Sequence, residues 1–261
     1  NLADILDELW MPDDLHSFVP IPTAEKPSFL LGKYPVTNAQ YLRFLEADDF
    51  HAKEYWIDFP KFDEKSQPMQ DTWGAEGYQW LQENWDARKK VYPRYWSDPR
   101  FGSHRPNAPI VGISWYEANA YAKWLLVNWG ECAESKTLAK PALLRLPTRA
   151  EWQEAAGGAE PEERFPWDAV GKAEMPTADD EKTIAEISKY ANVHEKVERT
   201  TPVWMYPLGK SKPYGLLDVG GNIWEWQASY SSDSRKYLGL SGGSWYYKWS
   251  SARVSERYDD S

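Results

Sequence analysis

Two glycine-rich segments near the C-terminal end constrain the fold more than any other part of the chain. Residues 218–226 read DVGGNIWEW, and residues 241–245 read SGGSW. Gly221 and Gly243 indicate backbone conformations, or close approaches between segments, that a Cβ atom would block. Trp224 and Trp226 alternate about Glu225, so in an extended strand the two indoles share the face opposite the carboxylate. This pattern predicts short strands and tight turns, with both tryptophans buried as scaffold.

The bulk composition is that of a folded domain with an unusual choice of aromatic residues. The chain has 261 residues, of which 42% are hydrophobic and 27% are charged, which is enough to bury a sizeable core. It contains 16 Trp and 16 Tyr but only 8 Phe. Because Trp and Tyr combine a large apolar face with a polar group, they suit both a loop-rich core and a recognition surface. Composition alone leaves both interpretations open.

Charge and hydropathy exclude several classes of function. The net charge of −10, without a long Lys/Arg stripe, argues against a nucleic-acid partner. No apolar run approaches the ~18 residues of a membrane span, and the first residues lack the apolar stretch of a secretory signal. The single Cys132 excludes an intrachain disulfide and fits a reducing compartment. We therefore predict a cytoplasmic protein, with a surface or secreted location as the alternative if a signal was removed.

The order of the elements predicts an α+β domain. Residues 1–28 read as a short acidic helix and a Pro-rich linker, and residues 29–261 read as one domain. Three capping boxes begin helices early in the domain, whereas short strands and turns dominate after residue 200. A further helix is predicted over residues 71–90, and residues 159–190 are predicted to be a surface excursion. The three boxes pair Thr37 with Gln40, Ser114 with Glu117, and Thr148 with Glu151.

Six motifs occur in the order of a known family. They are GKYPVTNAQY at 32–41, PIVGISWYEA at 109–118, RLPTRAEW at 145–152, FPW at 165–167, TTPV at 200–203 and the two closing segments. Together they resemble the formylglycine-generating enzyme domain across roughly residues 29–258. The resemblance implies its variant of the C-type lectin fold. One departure is Ser241, which stands where the family usually has Arg.

The resemblance also implies that the oxidase chemistry of the family is absent. Its oxidases hold copper with two cysteines just beyond the Gly-Gly-Ser segment, and the matching positions here are Tyr247 and Ala252. Neither side chain can replace a thiolate, so neither copper nor catalysis is expected. The sulfoxide synthases of a related branch bind iron through three histidines, mainly from a helical domain that this chain lacks. The four histidines are scattered, and no iron site is predicted; they are His16, His51, His104 and His194.

Calcium is the metal that the resemblance implies. In the family, the positions of Asp218, Gly221, Ile223 and Glu225 supply two side-chain oxygens and two backbone carbonyls to a calcium ion, a hard-oxygen donor set. The alternative is that Glu225 only caps a turn. A second family site begins at Asn192 with the Val193 carbonyl, and its acidic partner is Glu195 or Glu198.

The last 33 residues differ in composition from the rest of the chain. Residues 229–261 contain ten Ser, five Tyr and three Asp. Tyrosine with small polar residues is typical of adaptable recognition surfaces. This tail also resembles the variable region of diversity-generating retroelement proteins, many of which share the fold. The predicted ligand-binding residues are Tyr230, Ser232, Asp233, Ser234, Tyr246, Tyr247, Trp249, Ser251, Ser255, Tyr258 and Asp259.

The favoured hypothesis is a non-catalytic binding module for a protein or another macromolecule. The retained scaffold motifs, the absent cysteines and the tail composition all motivate it. Two alternatives stay open: an oxidative enzyme of the formylglycine-generating enzyme and sulfoxide synthase superfamily, and a regulatory domain of a larger polypeptide. For the tail itself, a solvated Ser-rich loop remains the simplest other interpretation.

Overall fold

A computed structural model describes residues 17–22, 28–130, 138–157, 164–168, 176 and 178–260. The predicted N-terminal helix, His16 and Cys132 lie outside these residues. Part of the predicted linker differs from the prediction, because Phe18–Ile21 forms a strand (β1) that pairs antiparallel with Phe29–Gly32 (β2). Ile21 is fully buried, so burial of its apolar side chain fixes this segment against the domain.

A five-stranded sheet carries the tail. Its order is β4-β3-β5-β6-β7, with β3 parallel to β5 and the other neighbours antiparallel. The strands are Pro60–Phe62 (β3), Pro68–Thr72 (β4), Glu225–Tyr230 (β5), Leu238–Ser241 (β6) and Tyr258–Asp260 (β7). The tail therefore supplies the end of β5, all of β6 and the edge strand β7. The packed sheet therefore determines where the turns of the tail lie.

Five helices lie among the described residues: Asn38–Glu46 (α1), Glu76–Asn84 (α2), Trp115–Val127 (α3), Arg149–Gly157 (α4) and Glu181–Ile187 (α5). All three predicted capping boxes are confirmed by reciprocal side-chain and backbone hydrogen bonds. The predicted helix over 71–90 is shorter, because β4 extends to Thr72 and Gly74 has a left-handed φ of 49°. The predicted excursion at 159–190 contains α5, whose Ile187 is buried.

The main core is built from aromatic side chains between α1, α3 and the sheet. Phe44 contacts Phe50 and Trp124 at ring-centroid distances of 4.6 and 5.6 Å. Two indoles join β5 to α3 and to the segment before it: the Trp115 Nε1–H donates to the Gln227 carbonyl, and the Trp226 Nε1–H donates to the Ile113 carbonyl. These two tryptophans thus satisfy their one donor while they pack, as is usual for this residue. The contacts of Trp226 fit the prediction that this residue belongs to the scaffold.

A buried carboxyl in this core makes stability depend on pH. Glu117 caps α3 through the Ser114 N–H at 2.7 Å and accepts from the Tyr41 hydroxyl at 3.4 Å. Burial raises the pKa of Glu117 from 4.5 to about 7, so the protonated form is favoured in the folded state. The stability that this group contributes is present below pH 4.5 and is lost as the pH rises through 7. The full effect is about 3 kcal/mol.

Replacing Glu117 with Gln is expected to remove that pH dependence, because the amide keeps an acceptor for Ser114 but does not ionise. Between pH 5 and pH 8, the free energy of unfolding of the wild type should fall by about 3 kcal/mol relative to that of the variant. Urea unfolding at the two pH values measures this difference. Equal pH dependence of unfolding in the two proteins would mean that Glu117 ionises normally in the fold.

Candidate functional site

The two glycine-rich segments pack directly against each other. The Gly221 N–H donates to the Gly242 carbonyl at 2.7 Å, and the Trp245 N–H donates to the Asn222 carbonyl at 3.0 Å. Both glycines singled out in the sequence have left-handed φ angles, 84° for Gly221 and 75° for Gly243. A Cβ at Gly221 would lie 2.7 Å from the Asn192 carbonyl oxygen. The contact leaves room only for glycine, as the sequence predicted.

Asn222 is the polar centre of this contact, and it was not singled out in the sequence. It is fully buried with φ 66°. Its amide nitrogen donates to the Thr201 carbonyl at 3.0 Å and to the Asp218 carboxyl at 3.1 Å. Its amide oxygen accepts from the Thr201 N–H at 2.9 Å and from the Asn192 amide at 3.1 Å. The Asn222 side chain therefore binds Asn192 and Asp218, one residue from each predicted calcium site. The backbone carbonyl of Asn222 connects both to Trp245.

The first predicted calcium site contains two buried carboxyls, Asp218 and Glu225, which interact with each other. Burial raises the pKa of Asp218 well above its usual range, and the nearby Glu225 raises it further. Burial also raises the pKa of Glu225 to about 7, although the Trp152 indole N–H donates to it at 2.6 Å. Among the residues that the structure describes, neither carboxyl forms an ion pair with Lys or Arg. Two buried carboxyls whose ionised forms would have no counter-charge fit a cation.

The donor set suits calcium better than a transition metal. Nowhere in the described ranges do three His, Cys, Asp or Glu side chains form a cluster that could hold an ion. A cation here would depend on Asp218 and Glu225 with the carbonyls of Gly221 and Ile223. The Gly221 carbonyl already accepts from the Ile223 N–H at 2.9 Å and keeps one lone pair. Oxygen donors of this kind are those that calcium prefers.

The second predicted calcium site shows an orphaned oxygen. Asn192 is buried, and its amide nitrogen donates to the Arg199 carbonyl at 2.8 Å. Its Oδ1 atom is buried without a donor among the described residues. Within the same described part of the chain, the neighbouring Val193 carbonyl accepts only a long bond, 3.4 Å, from the Lys196 N–H. Glu195 and Glu198 are both exposed with left-handed φ, and the structure does not choose between them.

The two positions that hold cysteines in the oxidases have different surroundings here. The Tyr247 ring contacts Trp224 at 5.5 Å in an edge-on arrangement. Ala252 is fully buried in a cluster with Phe165 and Trp167. Ser244 is also buried. The site therefore keeps its packed walls but has an aromatic ring and a methyl group in place of two thiols.

Three exposed tyrosines form the most prominent feature of the tail. The exposed fractions are 57% for Tyr246, 38% for Tyr247 and 45% for Tyr258. Ring centroids are 5.8 Å apart for Tyr246 and Tyr247, and 6.0 Å apart for Tyr247 and Tyr258. Trp224 supports the group, with its ring 5.6 Å from that of Tyr258. We call Tyr246, Tyr247 and Tyr258 the tyrosine cluster.

Backbone hydrogen bonds hold the tyrosine cluster in place. The His194 N–H donates to the Tyr247 carbonyl at 2.9 Å, and the Glu195 N–H donates to the Trp245 carbonyl at 2.7 Å. His194 and Glu195 have φ angles of 58° and 54°, so two strained residues present their N–H groups to this loop. The tyrosines therefore project from a fixed backbone.

The other predicted ligand-binding residues lie outside the tyrosine cluster. Tyr230, Ser232, Asp233 and Ser234 lie at the β5–β6 hairpin, at the end of β5 opposite to Trp224, where the Arg257 guanidinium donates to the Ser231 carbonyl at 2.9 Å. Tyr230 packs there against Trp73 at 5.8 Å. Asp259, on the edge strand, is exposed, and Ser255 is partly buried.

Two further predicted contact residues are buried. Trp249 is 9% exposed and donates its indole N–H to Asp179 at 2.9 Å, and the Ser251 hydroxyl donates to the Lys248 carbonyl at 2.8 Å. These contacts correct the prediction for both residues, because burial leaves them unavailable to a ligand. The same Asp179 accepts from the Lys248 ammonium at 2.6 Å. Asp179 lies about 70 positions from Lys248 and Trp249, so no local sequence pattern could reveal these contacts.

A cavity of about 780 Å³ lies behind the tyrosine cluster. Its walls come from α1, α3, the 110–114 segment and the tail, and they include Gln40, Arg94, Tyr95, Trp224, Tyr247 and Tyr258. The volume is that of a small-molecule pocket. The sequence did not indicate the part of the wall contributed by α1.

The fold and this site define a domain of the formylglycine-generating enzyme type, with an α+β, C-type-lectin-like architecture. Residues 8–261 match the model of the sulfatase-modifying factor enzyme 1-like domain, and the chain belongs to that family. The predicted family and fold class are thereby confirmed. The solved structure of Treponema denticola variable protein 1 superposes with a TM-score of 0.50 at 18% identity, covering 90% of this chain and 79% of that chain. This likeness shows a shared fold.

Two curated relatives are named as enzymes. A formylglycine-generating enzyme of Thermomonospora curvata is 32% identical over 226 residues, which cover 82% of this chain and 63% of that protein. A hercynine oxygenase of Mycolicibacterium smegmatis is 28% identical over 234 residues, which cover 86% of this chain and 42% of that protein. The chain therefore spans less than two thirds of the length of either relative. Within the part of the chain that the structure describes, no helix has the length and apolarity needed to cross a membrane.

Proposed function

We propose that this protein is a non-catalytic binding module of the diversity-generating retroelement variable-protein type. Its tail presents a tyrosine-rich surface to a protein or another macromolecular ligand. The observation that carries the proposal is the tyrosine cluster, three exposed rings at and beside the position of an oxidase cysteine. Monomeric proteins rarely expose several large aromatic rings together unless the surface binds something.

The contrast between fixed support and exposed rings favours recognition. Trp224 and Trp245 contact the cluster from the protein side, and the backbone of residues 245–247 is held by hydrogen bonds from residues 194–195. A tyrosine on a rigid backbone has few rotatable bonds to immobilise, so it adds contact area at low entropic cost. Such a surface tolerates changes of side chain without changes of fold.

The same positions disfavour the oxidative alternative. Copper activation in this family needs thiolate ligands, and Tyr247 and Ala252 supply none. The name of the Thermomonospora curvata relative therefore describes chemistry for which these two positions lack the ligands. We accordingly expect neither copper nor iron to serve as a cofactor.

A panned peptide library tests the binding surface. Peptides selected on the immobilised protein are expected to bind Tyr246→Ala about 30-fold more weakly, because losing a good aromatic anchor costs about 2 kcal/mol. Tyr92→Ala is the matched control, since Tyr92 is 40% exposed but lies outside the tail, against Arg88. Surface plasmon resonance on the same peptides gives both affinities. Selected peptides that bind Tyr246→Ala as tightly as the wild type would place recognition elsewhere.

We further propose that this protein binds a structural calcium ion. The ligands are the carboxylates of Asp218 and Glu225 and the carbonyls of Gly221 and Ile223. The support is the pair of buried carboxyls without a basic partner among the described residues. The Asn192 oxygen and the Val193 carbonyl would contribute to a second, weaker site.

Calcium in hundredfold excess over its Kd is expected to raise the free energy of unfolding by about 2.7 kcal/mol. Asp218→Asn should abolish most of this gain, because it removes one of two anionic ligands. Asp71→Asn, at an exposed carboxyl paired with Lys61, should leave it unchanged. Thermal unfolding with calcium and with EDTA measures the difference. A calcium response that is absent in the wild type, or equal in Asp218→Asn, would rule out this site.

A further inference from the structure

The cavity behind the tyrosine cluster contains polar groups that the proposed surface function does not use. Gln40 lines it from α1 and is only 2% exposed. Its amide oxygen accepts from the Thr37 N–H at 2.8 Å as part of the capping box, which fixes the orientation of the amide. The Nε2 atom of the same amide is buried and has no acceptor among the described residues.

A second unpartnered donor lines the same cavity. The Trp224 ring packs against Tyr247 and Tyr258, and its Nε1 atom is also buried without an acceptor among the described residues. The indole N–H groups of Trp115, Trp152 and Trp226 all have acceptors. A buried donor left unsatisfied costs about 1 to 3 kcal/mol. Two such donors on one cavity call for an acceptor that enters from outside.

The charges around the cavity favour an acidic guest over a basic one. Arg94 lines it, is exposed and packs beside the Tyr95 ring at 5.4 Å. Arg145 also lines it but is already neutralised by two bonds to Glu151, at 2.7 and 2.8 Å. The Glu225 carboxyl also lines the cavity and accepts from the Trp152 indole, and the calcium ion proposed above would neutralise its charge. Arg94 is therefore the one lining cation that no ion pair neutralises among the described residues.

We propose that this cavity binds a small aromatic carboxylic acid. The carboxylate would accept from Gln40 Nε2 and Trp224 Nε1, and the ring would pack against Tyr95, Tyr247 and Tyr258. A cavity of about 780 Å³ has room for such a guest. The inference goes beyond the proposed surface function, because Tyr246, the most exposed ring of the cluster, is not part of the cavity wall.

Phenylacetate and its basic counterpart phenethylamine test the proposal in ligand-observed NMR titrations of the full chain. Phenylacetate is expected to bind the wild type with a Kd on the order of 1 mM or tighter, as its size allows. Phenethylamine, which cannot accept from the two donors, is expected to bind at least tenfold more weakly. Equal binding of acid and amine would overturn the proposal.

Two variants locate the acceptor contact. Gln40→Glu keeps the oxygen that caps α1 but replaces the donor with an anionic oxygen, and Trp224→Phe keeps an aromatic ring but removes the N–H. Each is expected to weaken phenylacetate binding at least tenfold. Tyr246→Ala should leave it unchanged, so failure of this inference is distinguishable from failure of the surface function. Unaltered phenylacetate binding in Trp224→Phe would overturn the proposal even if Gln40→Glu fails to fold.

Discussion

Asn222→Ala is expected to destabilise the protein by about 4 kcal/mol. The substitution removes five hydrogen bonds of a fully buried amide and leaves Thr201, Asn192 and Asp218 with fewer partners. Each buried group that loses its partner costs about 1 to 3 kcal/mol. Alanine is also strained at φ 66°, a conformation that Asn tolerates.

Urea unfolding of Asn222→Ala beside Asn84→Ala measures the effect. Asn84 is exposed at the end of α2, where its amide donates to the Trp80 carbonyl, so its loss should cost about 0.5 kcal/mol. A loss below 1 kcal/mol for Asn222→Ala would show that the glycine-rich segments hold together without this amide. That result would also remove the physical link between the proposed calcium ligands and the Trp245 backbone.

Gly243→Ala is expected to cost more than 3 kcal/mol and to displace the loop that carries the tyrosine cluster. A Cβ at Gly243 would lie 2.5 Å from the Ser251 hydroxyl oxygen and 2.7 Å from both the carbonyl carbon and oxygen of Ser251. The hydroxyl can rotate away, but the backbone atoms cannot, so one of the two segments must move. The φ of 75° adds strain for any residue with a Cβ.

Gly215→Ala separates the two causes. Gly215 has nearly the same φ, 76°, but no atom lies within 4 Å of the Cβ position, so only about 1 kcal/mol of backbone strain is expected. Unfolding free energies of the two variants, with hydrogen exchange of residues 245–251, give the comparison. Equal losses in the two variants would mean that the close approach at Ser251 does not determine the position of the loop.

Local signals explain why so much of the scaffold was predictable. A capping box depends on residues three positions apart, and all three boxes formed as predicted. The glycines of the closing motifs were predicted because only glycine combines a left-handed φ with a close backbone approach. Both conditions hold at Gly221 and Gly243. The helical prediction over 71–90 was too long, because the left-handed turn at Gly74 separates β4 from α2.

The site was less predictable, because long-range contacts determine which tail residues are exposed. Trp249 looked like a recognition residue by composition, yet Asp179, 70 positions away, holds its indole in a buried cluster. Tyr230 looked equivalent to Tyr247, yet it lies at the opposite end of β5. The sequence also did not reveal the Gln40 Nε2 donor in the cavity, because the capping box already accounted for this residue.

The genomic sequence around the coding region of residues 230–261 tests the central claim most directly. A diversified binding protein predicts a near-copy of this region that differs mainly at adenines, beside a gene for a reverse transcriptase. The codons of the exposed Tyr246, Tyr247 and Tyr258 should be among the mismatched positions, and those of the buried Gly242 and Gly243 should match. A genome without such a copy, or one with mismatches spread evenly over scaffold and surface codons, would contradict the account.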